Sequence, residues 1–209
     1  SEGDADKYVV FIPHSYERQQ KLPVILFLHG AGATGTDGRQ QLRGALAKAI
    51  QQQEQAFEFI AVFPQAQEGD WQPDSPDGQR ALAILDEVLK DYHADSKRIY
   101  LTGLSMGAEG TWSLAAAHPD RWAAIVPISG GGNTKTADKI KDIPCWCFHG
   151  DEDQVIPIAL SRDMVRSIKD AGGRPLYTEC SGGGHDGDCW DRVYGNPNLY
   201  EWLSLQKLQ

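Results

Sequence analysis

Seven short apolar runs alternate along the chain with longer segments whose apolar residues recur every three or four positions. The runs span residues 8–12, 24–29, 59–63, 98–102, 123–128, 145–149 and 176–179, and their length and composition predict strands. Val24-Ile-Leu-Phe-Leu28 contains no polar residue, as a central strand covered on both faces requires. The intervening segments predict helices at 38–53, 77–93, 106–117, 158–171 and 190–207. In the second of these, Leu82, Leu85, Val88 and Leu89 form one apolar stripe. Pro157 precedes the fourth, and Gly172-Gly173 closes it. Apolar runs alternating with helical patterns predict an α/β architecture: a mostly parallel, doubly wound sheet with helices on both faces.

No repeat, low-complexity tract or linker interrupts this pattern, so residues 1–209 are expected to form a single domain. A net charge of −9 argues against nucleic acid or anionic lipid as partner. No apolar stretch reaches the roughly 20 residues needed to span a bilayer. The chain carries no recognisable leader and begins at Ser1 rather than Met, which is expected of a processed protein or an excised domain.

Chemistry enters at Gly103-Leu-Ser-Met-Gly107, directly after the run at 98–102. A G-x-S-x-G pentapeptide between a strand and a helix predicts a sharp turn that presents the serine hydroxyl at a helix N-terminus. Ser105 is therefore the expected nucleophile, with Gly103 and Gly107 leaving room for neighbouring chain.

A nucleophilic serine needs a base, an orienting acid and an oxyanion hole, and a doubly wound sheet supplies them from the carboxyl ends of its strands. Of the six histidines, only His185, in Gly182-Gly-Gly-His-Asp186, follows both serine and acid in chain order. It is the expected base. His29 and His149 each end a strand in a His-Gly pair and are expected to be structural, whereas His14, His93 and His118 are expected at the surface. Asp153, four residues past His149 and just before Val-Ile-Pro157, is the expected acid. Asp151 is the second choice, better suited to turn hydrogen bonds. Asp186 adjoins His185 and is poorly placed to reach its far ring nitrogen. The backbone N–H groups of Met106 and of Ala31, in Leu28-His-Gly-Ala-Gly-Ala33, are the expected oxyanion hole.

These pieces, together with Ala124-Ile-Val-Pro-Ile-Ser-Gly-Gly-Gly132, resemble the α/β-hydrolases. Within them the chain is most similar to compact carboxylesterases without a cap domain: phospholipase/carboxylesterase-like, polyhydroxybutyrate-depolymerase-like and feruloyl-esterase-like members. The resemblance spans nearly the whole chain and implies a serine hydrolase acting on short-acyl or small carboxylic esters through an acyl-enzyme. Cofactors and metal are expected to be none. The resemblance also fits an excised part of a larger secreted protein. Two departures are Ala108, where many relatives carry glycine, and a long loop after His185.

The long loop at 64–76 is expected to bring Trp71 to the mouth of the site as a substrate wall. Trp190, just past His185, is expected either to line the site or to buttress the base, and Trp112 belongs to the core. Cys145 and Cys147 sit two apart in a strand and are expected as buried thiols on one face. Cys180 and Cys189 bracket the glycine-rich loop. Joined, they would staple it and imply an oxidising, extracytoplasmic compartment. Left free, they are two further thiols of a cytoplasmic enzyme. Two other readings compete with the esterase: a serine peptidase or amidase of the same fold, and a hydrolase-like binding protein without catalysis.

Overall fold

The computed structural model describes residues 7–17 and 21–209. Seven strands form one sheet: β1 (Tyr8–Phe11), β2 (Val24–Leu28), β3 (Ile60–Pro64), β4 (Ile99–Leu104), β5 (Ala124–Ile128), β6 (Trp146–Gly150) and β7 (Leu176–Cys180). Their order is β1-β3-β2-β4-β5-β6-β7, with β1 antiparallel to β3 and every other pair parallel. The helices are α1 (Ala45–Gln52), α2 (Pro76–Asp91), α3 (Met106–Ala117), α4 (Ala137–Ile140), α5 (Ile158–Asp170), α6 (Gly187–Tyr194) and α7 (Pro197–Ser204).

Period-two alternation along the strands divides the core into two layers. Val24, Leu26, Leu28 and Leu101 face α2, α3, α4 and α5, while Ile25, Phe27, Tyr100 and Val126 face α1, α6 and α7. Both faces of the sheet are covered, which is why β2 to β5 carry almost no polar residue. Cys145 and Cys147 lie together in the first layer as buried free thiols. Among the described residues, no helix is long and apolar enough to cross a membrane.

Two expected helices take a different form. The segment 38–53 is helical only from Ala45; a 3-10 turn (Gln40–Leu42) precedes it, and Gly44, at φ 99°, sets the break. The segment 190–207 is two helices, because Pro197 stands at the first position of α7 and Asn196 caps it by accepting from Asn198 N–H at 3.0 Å. The short helix α4 was not expected.

Register places the ends of the parallel strands side by side: Leu28 pairs with Gly103, Gly103 with Pro127, Ile128 with Phe148, and Gly150 with Cys180. The segments that leave β2, β4, β6 and β7 therefore emerge together at one edge of the sheet.

Candidate active site

β4 ends in a turn too tight for ordinary side chains. A Cβ on Gly107 would overlap the carbonyl oxygen of Leu28, and one on Gly103 would overlap that of Gly107. With glycine at both places, α3 starts directly against β2. Ser105 takes the strain of the turn, at φ 55° and ψ −123°. Its backbone N–H donates to Ile128 O at 2.9 Å, which ties the turn to β5.

Above this turn three expected residues meet. His185 Nε2 lies 2.8 Å from Ser105 Oγ, and His185 Nδ1 lies 2.7 Å from Asp153 Oδ2. The carboxylate can only accept, so Nδ1 donates to it; in the neutral ring, Nε2 then accepts the serine hydroxyl hydrogen. The Asp153 side chain is fully buried and that of His185 is 11% exposed. Asp153 Oδ1 accepts the backbone N–H groups of Val155 at 2.9 Å and Ile156 at 2.8 Å. Burial pushes the Asp153 carboxyl upward, but hydrogen bonds from His185, Ile156 N–H and Val155 N–H outweigh it and hold the group below its ordinary range.

The runner-up carboxylates do other work. Asp151 Oδ1 accepts Gly182 N–H at 2.7 Å and so tethers the loop that carries His185. Asp186 caps α6 by accepting Asp188 N–H at 3.0 Å. That loop is closed by a disulfide between Cys180 and Cys189, whose Cα atoms are 5.7 Å apart.

Met106 N–H is the first of α3, and Ala31 N–H is the first of a 3-10 turn (Ala31–Ala33). Neither has an acceptor inside its own element. The two turns are close, since a Cβ on Gly30 would lie 3.4 Å from Ser105 Cβ. The loop is braced from behind. His29 Nε2 accepts Ala66 N–H at 2.9 Å, so its hydrogen sits on Nδ1, which donates to Gly30 O at 2.7 Å. Burial pushes the His29 imidazole down, toward the neutral form. Gln65 adds bonds to Gly38 N–H at 2.7 Å and Ala33 O at 3.1 Å.

Trp71 is not at the mouth of the site. It is 1% exposed, its indole N–H donates to His29 O at 2.9 Å, and it packs against Gly110 of α3. The cause is Asp77, at the start of α2. Its buried carboxylate gathers the N–H groups of Gln67 and Glu68 at 2.8 Å and Gly69 at 2.9 Å, which folds the 64–76 loop inward. Trp190 is partly buried, with its ring edge-on to His185 and its N–H on Ser129 Oγ at 3.1 Å. Trp112 lies in the core, and His14, His93 and His118 are exposed. Sequence reasoning missed Gln65, Asp77, Ser129 and Ser161. Only Asp77 left a local signal, in the capped start Ser75-Pro-Asp77.

The dienelactone hydrolase family matches this chain over residues 5–175. The chain belongs to that family. The match ends just before β7, so His185 and its loop lie beyond it. As a dienelactone hydrolase family member, the chain is 26% identical over 152 residues to a bifunctional acetylxylan esterase/xylanase of Neocallimastix patriciarum, covering 71% of this chain and 22% of that protein. To a poly(3-hydroxyalkanoate) depolymerase C of Paucimonas lemoignei it is 33% identical over 122 residues, covering 52% and 28%. The chain thus spans about a quarter of the length of these curated relatives. A solved thermostable esterase superposes with a TM-score of 0.86 at 33% identity, covering 96% of this chain and 59% of that one. The family member therefore has the α/β-hydrolase fold.

Proposed function

We propose that this chain is a serine carboxylesterase that hydrolyses short-acyl or small carboxylic esters through an acyl-enzyme. The observation that carries this reading is the continuous hydrogen-bonded line from Ser105 Oγ through His185 to Asp153. Ser105 attacks the ester carbonyl while His185 takes its proton. Asp153 holds the ring and stabilises the imidazolium. The N–H groups of Met106 and Ala31 receive the carbonyl oxygen as it becomes negative, a contribution typically worth about 10²–10³ in rate for one donor. His185 then passes its proton to the departing alcohol, and a water activated by the same ring releases the acid. No cofactor is needed for these steps.

The esterase names of the relatives support the reaction class, and the acetylxylan and polyester names make esters carried on polymers part of the proposal. Residues 1–209 act as one catalytic domain. The Cys180–Cys189 bridge supports an extracytoplasmic setting. Turnover of p-nitrophenyl acetate, with labelling by a fluorophosphonate, tests the proposal. Ser105 should carry the label, and Ser105→Ala should lose both label and turnover while melting as the parent does. A label on another serine, or full activity in Ser105→Ala, would remove the assignment.

A further inference from the structure

Among the described residues, the strand-end histidine His149 meets polar atoms of the proposed site and of the groups that support it. Its ring is fully buried, with Nε2 3.0 Å from Ile156 O and 3.2 Å from Asp153 Oδ2. Both partners are acceptors, so Nε2 carries the hydrogen and shares it between them. On the other side, Nδ1 lies 2.7 Å from Ser161 Oγ, which is itself 3.0 Å from Gly130 O. In the neutral ring Nδ1 is an acceptor and shares the single Ser161 hydroxyl hydrogen with Gly130 O, which also accepts the Trp112 indole N–H. Burial pushes this imidazole down, toward the neutral form, against the pull of Ile156 O and Asp153.

We propose that His149 is a positioning residue for proton transfer, because its Nε2–H and the Nδ1–H of His185 converge on the same oxygen of Asp153. This rests on the reaction proposed above. Asp153 then receives four donors: Val155 and Ile156 on Oδ1, His185 and His149 on Oδ2. The His149 donor fixes the plane of the carboxylate. It also draws off part of the negative charge that Oδ2 would otherwise direct at His185. Without it, the carboxylate turns more freely and the His185 imidazolium is held more strongly. The acid limb of the proposed reaction then moves to higher pH.

The groups facing His149 are few. From the segment after its own strand there is Asp153, and from the loop after β7 there is His185. Glu179 of β7 is the register partner of His149 and is held by Arg162 at 2.7 and 2.9 Å. Ser161 of α5 meets the ring at Nδ1 and also touches the buried Cys147.

The test compares His149→Leu, which removes the donor, with His149→Gln, whose amide reaches toward the place of Nε2–H. Turnover of p-nitrophenyl acetate is followed against pH. In parallel, the downfield imidazole N–H proton of His185 is followed by NMR in a Ser105→Ala background. In His149→Leu, kcat should fall about 10- to 100-fold, as for other outer hydrogen-bond partners, with KM unchanged. The acid limb of kcat/KM should move to higher pH and the downfield proton should shift. His149→Gln should restore most of each. The proposal is overturned by a His149→Leu protein with the parent's acid limb and an unmoved proton. It is equally overturned if His149→Gln is no better than His149→Leu when both melt as the parent does. Should His149→Leu fail to fold, Ser161→Ala frees the ring at Nδ1, and an unmoved acid limb there overturns the proposal. If the parent protein hydrolyses no ester, the proposed reaction fails, and the NMR arm still decides whether His149 acts on His185 through Asp153.

Discussion

Trp190 stands edge-on against His185, with ring centroids 5.2 Å apart and an interplanar angle of 84°. Its N–H is anchored on Ser129 Oγ. The imidazole therefore has a wall on one side and Asp153 on another. Trp190→Ala should remove the wall and lower kcat, by an expected factor of about ten. Trp190→Phe should retain much of the packing and fall in between. Steady-state kinetics on one ester decides it; equal kcat in all three proteins would show that the ring needs no wall.

The two neighbouring carboxylates have separable roles. Asp153→Asn leaves His185 in the wrong tautomer and should lower kcat by roughly 10⁴-fold. Asp151→Asn only loosens the tether to Gly182 and should cost far less. A reversed order would make Asp151 the acid of the triad.

Acid should destabilise this protein through histidine. Burial pushes the imidazoles of His29 and His149 below the ordinary range in the folded protein. Unfolded, each binds a proton below about pH 6.5. The unfolded state therefore takes up more protons there, and stability is lost as pH falls from about 6.5 toward the lowered folded values. Denaturant melts between pH 8 and 5 measure this. Replacing His29 with Gln should flatten the slope, and an unchanged slope would refute the assignment.

Asp77 should matter to the fold more than to the chemistry. Burial alone would raise its carboxyl, but the N–H groups of Gln67 and Glu68, the Arg80 side chain and Asp70 N–H hold it below the ordinary value. Its contribution is present above about pH 4 and is lost as pH falls through the lowered value. Asp77→Ala removes the buried acceptor shared by the Glu68 and Gly69 N–H groups and should cost about 3 kcal/mol, read as a lower melting temperature at neutral pH. A neutral effect would mean that the 64–76 loop holds itself.

The strands were legible because each apolar run is bounded by polar, glycine or proline residues, and all seven lie within two residues of their expected ends. The segment 190–207 contains Gly195-Asn-Pro197, a local break that its apolar pattern masks. Ser105, Asp153 and His185 could be picked out because chain order and strand ends restrict where such groups stand. Trp71 could not be placed. Its position depends on Asp77 drawing in four backbone groups that lie 7 to 10 residues before it, a bond pattern with no periodicity to betray it. The same holds for Gln65, Ser129 and Ser161, whose partners lie up to 61 residues away.

The strand that delivers His185 is an edge strand of the sheet, bonded among the described residues only to β6. Serine and acid directly follow interior strands, β4 and β6, so the reacting groups are not equally secured. The Cys180–Cys189 bridge closes a loop of 9 residues at that margin, a constraint worth about 2–3 kcal/mol by chain entropy. Mild reduction should thus disable the protein before it unfolds it: hydrolysis should fade at temperatures where the far-ultraviolet spectrum is still native. Coincident loss of both signals in reduced protein would mean that the margin and the centre melt as one. Durability of catalysis is then set at the periphery of the sheet, and a more lasting enzyme is to be sought by reinforcing β7 rather than by repacking the interior.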